Sequence, residues 1–233
     1  MAHVSDYDAF AAVYDAFSAA MTEDVAFYVE LAREARGPVV ELAVGTGRVA
    51  IPIVERTGRR VIGIDVSEGM LEVARRAAAQ AGVELELRQG DMRELSLDRP
   101  TDLVICPFRA MLHLRDHGER VAVMRRVCES LVPGGRFAWN SFVFDRAVAD
   151  EIGGVWRDEG GVRNRSTYDF TERRIDLELE NGATVQLWWV DRAEWEAAIT
   201  AGGLEVEALY GWFDGTPFDD TSREFVYVAR RPG

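Results

Sequence analysis

The chain has 233 residues, 48% of them hydrophobic and 29% charged, and a formal net charge of −13 at pH 7. That length suits one α/β domain with a large core, while the acidity argues against nucleic acid, whose phosphates demand a basic footprint. Every basic side chain is arginine, so lysine is excluded from any catalytic role.

In chain order, residues 8–20 and 22–36 read as two helices, the second closed by Gly37-Pro38. Val39-Val40-Glu41-Leu42 is a short apolar strand running into the turn Ala43-Val44-Gly45-Thr46-Gly47, and 48–56 is the first crossover helix, with Pro52 near its start. A second strand ends at Asp65. Ser67 caps a helix with Met70, Leu71, Ala74, Ala77 and Ala78 on one face, closed by Gly82. Residues 83–88 alternate as a strand that ends in Gln89-Gly90-Asp91-Met92, and Leu103-Val104-Ile105 delivers Cys106-Pro107-Phe108 to the same rim. Asp116-x-x-Glu119 is a capping box opening a helix that buries Val121, Met124, Val127, Cys128 and Leu131. A fifth strand follows at 136–141.

The βα alternation then breaks. Residues 163–170, 173–180 and 183–190 read as three antiparallel strands, the last two joined by Asn181-Gly182, a type I′ hairpin signal. Asp191-x-x-Glu194 opens a helix that ends at Gly202-Gly203, and 204–210 with 224–229 form a closing pair. The expected fold is a Rossmann-like seven-stranded, mostly parallel sheet with an antiparallel last strand and helices on both faces. One domain spans 1–233, with a helical cap at 1–37 and a β insertion at 142–190 lying over the carboxyl edge. The insertion is expected to be a substrate lid, a dimer surface, or both. No apolar run is long enough to span a bilayer and the polar N-terminus lacks signal-peptide character, so no membrane contact and a cytoplasmic location are expected. Cys106 and Cys128 match no metal-ligand spacing and read as reduced thiols, with no metal expected.

Gly45-x-Gly47-x-x-Ala50, with Asp65 at the tip of the next strand, satisfies a dinucleotide fingerprint. Glycines there permit positive φ, and an acid at that tip accepts hydrogen bonds from ribose hydroxyls. Glu41 bears on which nucleoside is bound, because its carboxylate would repel a pyrophosphate and attract an ammonium or sulfonium. Asp91 sets a second carboxylate on the same edge, suited to an adenine amino group.

Taken in order, Glu41…Gly45-x-Gly47, Asp65, Gly90-Asp91-Met92, Asp102-Leu103-Val104-Ile105 and Leu131-Val132-Pro133-Gly134-Gly135-Arg136 resemble the motif set of class I S-adenosylmethionine-dependent methyltransferases. The resemblance implies S-adenosyl-L-methionine as cofactor and S-adenosyl-L-homocysteine as product. By that resemblance the glycine loop, with Glu41, Ala43, Gly45 and Gly47, wraps the methionine part; Arg48 reads as a partner for the cofactor carboxylate or as an exposed helix-start arginine. Asp65 and Val66 take the ribose, Asp91 and the Met92 amide read adenine, and Met70, Cys106 and Phe108 complete the cleft. The family often has glycine at the position of Ala43 or Val44; a small residue at 43 is expected to suffice. A weaker similarity extends to amino-sugar and glycine-type N-methyltransferases.

Methyl transfer is an in-line displacement at an activated carbon, so alignment, water exclusion and an unprotonated nucleophile matter most. His113, a few residues past the fourth strand, is the candidate general base because its unperturbed pKa suits proton removal near neutrality. Tyr14, in Val13-Tyr14-Asp15, is the other candidate, holding the methionine carboxylate or the acceptor, or else packing with Tyr7, Phe10 and Phe17. Arg109 reads as a partner for an anionic acceptor or as a solvated side chain. Phe108, Trp139, Phe142, Trp156, Trp188, Trp189 and Trp212 are candidates for an acceptor pocket or for core, and adjacent Trp188 and Trp189 must point to opposite faces. The expected activity is methyl transfer to nitrogen or oxygen of a small-molecule acceptor, such as an amino sugar, by an enzyme that pairs as a homodimer through its insertion. The alternatives are an NAD-dependent oxidoreductase and a non-catalytic S-adenosylmethionine-binding protein.

Overall fold

The computed structural model describes residues 22–233. The expected helix at 8–20, together with Tyr14, therefore lies outside the described residues. Strands β1 (Val39–Leu42), β2 (Val61–Asp65), β3 (Glu86–Gln89), β4 (Thr101–Cys106) and β5 (Leu131–Phe142) run parallel. β1 and β2 are buried at every position, as strands covered on both faces must be. After them, β10 (Glu205–Tyr210) and β11 (Glu224–Arg230) close the sheet in the order β10-β11-β5-β4-β1-β2-β3, with β11 antiparallel to both neighbours. Strand order reverses at β1, between β2 and β4, which is where open α/β sheets bind ligands.

Helices α1 (Glu23–Glu34) and α2 (Ala50–Thr57) pack on one face, around Tyr28, Val29, Ile53 and Ile105. On the other face lie α4 (His117–Ser130) and α6 (Arg192–Ala201), around Met124, Val127, Trp139 and Trp195. Between the two pairs in sequence, α3 (Glu68–Ala81) starts where Ser67 Oγ accepts from the Met70 amide at 3.1 Å and stops at left-handed Gly82. α4 buries Val123, Met124 and Val127, while Val121 and Cys128 are half-buried. Its capping box is only half formed. Asp116 accepts from the Glu119 amide, but the Glu119 carboxylate accepts from the Arg115 amide and pairs with Arg93. At α6 both arms form between Asp191 and Glu194.

The insertion holds more elements than the sequence suggests. A short helix α5 (Arg146–Ile152) precedes four antiparallel strands, not three: β6 (Trp156–Glu159), β7 (Val162–Asp169), β8 (Arg174–Leu179) and β9 (Thr184–Trp188). β6 escapes a periodicity search because Trp-Arg-Asp-Glu has no apolar alternation. Its hairpin partner is fixed by Gly160 and Gly161, both at positive φ (62° and 78°), between the paired Glu159 and Val162. The type I′ geometry thus belongs to this Gly-Gly pair. At Asn181-Gly182, in contrast, only Gly182 turns left-handed (86°). There the Gly182 amide donates to Leu179 and the Leu179 amide to Ala183, giving a three-residue loop with a bulge. The second sheet docks on α3 through Val162, Leu179 and Val185 against Met70.

Candidate active site

A cavity of about 600 Å³ opens between the carboxyl edge of the main sheet and the inner face of the second one. Ala43, Gly45, Asp65, Val66, Met70, Asp91, Met92, Phe108 and His113 all reach it. Glu41, Gly47, Arg48 and Cys106, expected among the cofactor contacts, are not among its described lining residues.

The β1 turn brings its parts together through backbone geometry. Ala43 has φ 53°, Gly45 φ 54° and Gly47 φ 84°. The position needing a left-handed residue is therefore 43, not 44, and alanine is strained there. Ala43→Gly should raise stability by about 1 kcal/mol in urea denaturation; an unchanged or lower midpoint would deny that strain. Asp65 locks the same turn, accepting from the Gly45 amide and, through its other oxygen, from the Ser67 amide, both at 2.9 Å. Burial raises its pKa against the lowering effect of those amides.

Beneath the turn, Glu41 is 2% exposed, and its Oε2 has no hydrogen-bond partner. Burial pushes its pKa well up; Arg48 opposes this, while Asp24 and Asp65 add to it. Arg48 itself forks onto Asp24, Nη1 to Oδ1 at 2.8 Å and Nη2 to Oδ2 at 2.5 Å, and lies 4.8 Å from the Phe108 ring centre. It clasps α1 to the loop. Cys106 is fully buried, which drives its thiol pKa upward, and both cysteines are free.

At the β3 tip Asp91 caps a short 3-10 turn (Met92–Glu94) and is forked by the Arg93 guanidinium. Partial burial raises its pKa, but the Arg93 side chain and amide together hold it below the usual value. Carboxylate oxygens accept more than one hydrogen bond each, so capacity for an adenine amino group remains.

Past β4, Phe108 (φ 54°) and Arg109 (φ 63°) are consecutive left-handed residues, a costly backbone that the surroundings must enforce. Arg109 forks onto Glu224, which is 1% exposed and also accepts from Asn140 at 2.7 Å; Asn140 in turn accepts from the Tyr28 hydroxyl at 3.1 Å. Arg109 thus holds the turn. Its side chain is 34% exposed and lines the cavity, but its guanidinium is committed to Glu224.

A 3-10 turn (Ala110–His113) then carries His113 to the second sheet, where Nδ1 lies 3.1 Å from the Gln186 carbonyl oxygen of β9. A carbonyl only accepts, so Nδ1 bears the proton and Nε2 the lone pair. Burial pushes this imidazole down to about 4, against a smaller upward effect of the Gln186 hydrogen bond. The sequence-based expectation of titration near neutrality is thereby corrected: at pH 7 the ring is neutral. The unfolded chain takes up this proton at 6.5, the folded one only near 4. Stability is therefore full above 6.5 and lost as pH falls toward 4, by roughly 2 kcal/mol between pH 7 and pH 5. Comparing urea midpoints at those two pH values for the parent and His113→Phe should show the variant losing less; equal slopes would contradict the burial effect.

Of the aromatic candidates, Phe108, Phe142 and Trp188 line the cavity. Trp139 is core, stacked with Phe137 and Tyr227, and Trp156 lies under Arg163 and Arg165 on the outer face of the second sheet. Trp189 turns away from Trp188 and stacks on Phe144 at 4.0 Å, and Trp212 packs on Phe213. Sequence reasoning missed Arg93, Glu119, Arg157, Asn164 and Ser166, all on the wall. A signal for two of them exists: Asn164 and Ser166 occupy alternate, inward positions of β7 next to Val162.

A family model described as a methyltransferase domain matches residues 39–135. The cypemycin N-terminal methyltransferase of a Streptomyces species is 26% identical over 205 residues, covering 83% of this chain and 82% of its own. The dTDP-3-amino-3,4,6-trideoxy-alpha-D-glucopyranose N,N-dimethyltransferase of Streptomyces venezuelae is 29% identical, covering 90% and 92%. Among solved structures, the CcbJ methyltransferase of Streptomyces caelestis superposes with a TM-score of 0.77 at 25% identity, over 91% of this chain and 90% of that one. The motif order, the sheet order and these relatives agree: residues 39–135 carry a methyltransferase domain, and over most of its length the chain is similar to S-adenosylmethionine-dependent methyltransferases.

Proposed function

We propose that the chain methylates the nitrogen of a small polar amine. The residues around the β1 turn suit the cofactor: the partnerless Glu41 Oε2 can accept from an α-ammonium, and Asp65 and Asp91 on the cavity wall can accept from ribose hydroxyls and an adenine amino group. S-adenosylmethionine supplies an electrophilic methyl carbon when bound. The chain's own residues hold it, shut out water and aim the acceptor nitrogen.

The observation that carries the choice of nitrogen is His113, whose Nδ1 lies 3.1 Å from the Gln186 carbonyl oxygen and whose burial between the two sheets pushes its pKa down to about 4. A group so weakly basic removes a proton from an alcohol poorly. It still serves an amine, which reacts through its own lone pair and needs only an N–H acceptor to orient it. Relatives named for N-methylation support the same choice. The insertion of residues 142–190 is read as the lid. Its exposed Val148, Val155 and Phe170 support a homodimer through this element. A cytoplasmic setting without nucleic-acid contact completes the reading; among the described residues no helix is long and apolar enough to cross a membrane.

Incubation with methyl-labelled S-adenosylmethionine and matched amines and alcohols tests this. Label should pass to amine nitrogen, and His113→Ala should lower kcat while leaving the Kd of S-adenosylhomocysteine unchanged. Transfer to oxygen alone would refute it.

A further inference from the structure

Five arginines line the cavity, and four of them are already committed to carboxylates. Arg93 pairs with Asp91 and Glu119, Arg109 with Glu224 at 2.8 Å, Arg157 with Glu159 at 3.0 Å and Arg174 with Asp176 at 3.0 Å. Of these five only Arg115, exposed at the rim, has its guanidinium outside an ion pair. Residues 1–21 add no lysine or arginine and bring three more aspartates. Glu159 and Glu172 face the same space. Uncommitted arginine forks are the strongest side-chain partners a diphosphate can find, and a chain with net charge −13 repels it besides.

What the wall does offer is a donor beside an acceptor. Arg157 on β6 and Asn164 on β7 are cross-strand partners, and both belong to the inner face. Asn164 is fully buried; its amide nitrogen donates to the Val162 carbonyl, but Oδ1 has no partner. Arg157 Nε is likewise buried without one, although its Nη2 holds Glu159. Unpaired buried polar atoms are costly and call for a partner. One unpaired donor opposite one unpaired acceptor complements a hydroxyl, which both accepts and donates.

Resting on the N-methylation reading above, we propose that the acceptor is a hydroxylated amine free of phosphate, and that Asn164 and Arg157 read one of its hydroxyls. The acids on the wall favour an amine over an anionic carrier. Nucleotide-linked sugars, which the Streptomyces venezuelae relative is named for, are then poor substrates.

The test uses the full chain with an aminohexose methyl glycoside, the same amine as its thymidine diphosphate ester, and a deoxy analogue lacking one hydroxyl. The glycoside should be methylated with a KM at least roughly tenfold below that of the diphosphate ester, and free thymidine diphosphate should not compete. Asn164→Leu should raise the glycoside KM by roughly tenfold, the scale of one lost hydrogen bond. It should leave the calorimetric Kd of S-adenosylhomocysteine unchanged and make no difference to the deoxy analogue. Arg157→Met should give the same pattern, and decides the matter if Asn164→Leu does not fold. Competition by thymidine diphosphate, an equal or lower KM for the ester, or unchanged KM in the folded variants would overturn the inference while leaving N-methylation standing. Transfer to neither amine, with label found on alcohols instead, would overturn the proposed function and this inference together.

Discussion

Asp65→Ala should weaken binding of S-adenosylmethionine by about 1.5–3 kcal/mol, a rise in Kd of roughly ten- to hundredfold, because it deletes the carboxylate proposed to accept from the ribose hydroxyls. Two effects combine. The carboxylate is 8% exposed and faces the cavity, so its hydrogen bonds to a ligand form in a site largely shielded from water. It also holds the Gly45 and Ser67 amides, so its loss slackens the β1 turn and the first turn of α3. Calorimetry with S-adenosylhomocysteine reads the first effect, and the melting midpoint of the ligand-free chain reads the second. A lowered midpoint with unchanged Kd would reduce Asp65 to a structural clamp.

Arg48→Met should cost about 3–5 kcal/mol of folding stability, the range for stranding one member of a buried ion pair. The Asp24 side chain has no exposed surface and the Arg48 side chain only 16%, so water cannot replace the lost partner. For a domain whose total stability is of order 5–15 kcal/mol, that is a large fraction. The variant should also release Phe108, whose ring lies against the Arg48 guanidinium, and so loosen the strained turn before Arg109. Asp24→Leu combined with Arg48→Met should recover most of the loss, since an apolar pair leaves no buried charge. A urea titration checks both variants. A cost below about 1 kcal/mol for Arg48→Met would mean that the clasp behaves as a solvated pair.

Most of the architecture was legible because the central strands are short apolar runs ending in glycine, acid or proline. Ser67, Gly82 and Asp191 mark helix ends by local hydrogen bonding that depends on nearby residues alone. What failed was non-local. Arg48 and Arg109 looked available, and each is taken by a carboxylate distant in sequence. The pKa of His113 is set by a strand more than seventy residues downstream that closes over it. β6 is apparent only through the turn of two glycines that pairs it with β7. Asn164 and Arg157 became site candidates only when register placed them side by side.

A crystal structure with S-adenosylhomocysteine tests the cavity assignment most directly. The ribose hydroxyls should lie within hydrogen-bond distance of Asp65, the adenine amino group should face Asp91, and the α-ammonium should approach Glu41. A product bound elsewhere, or inverted so that adenine occupies the β1 turn, would contradict the account.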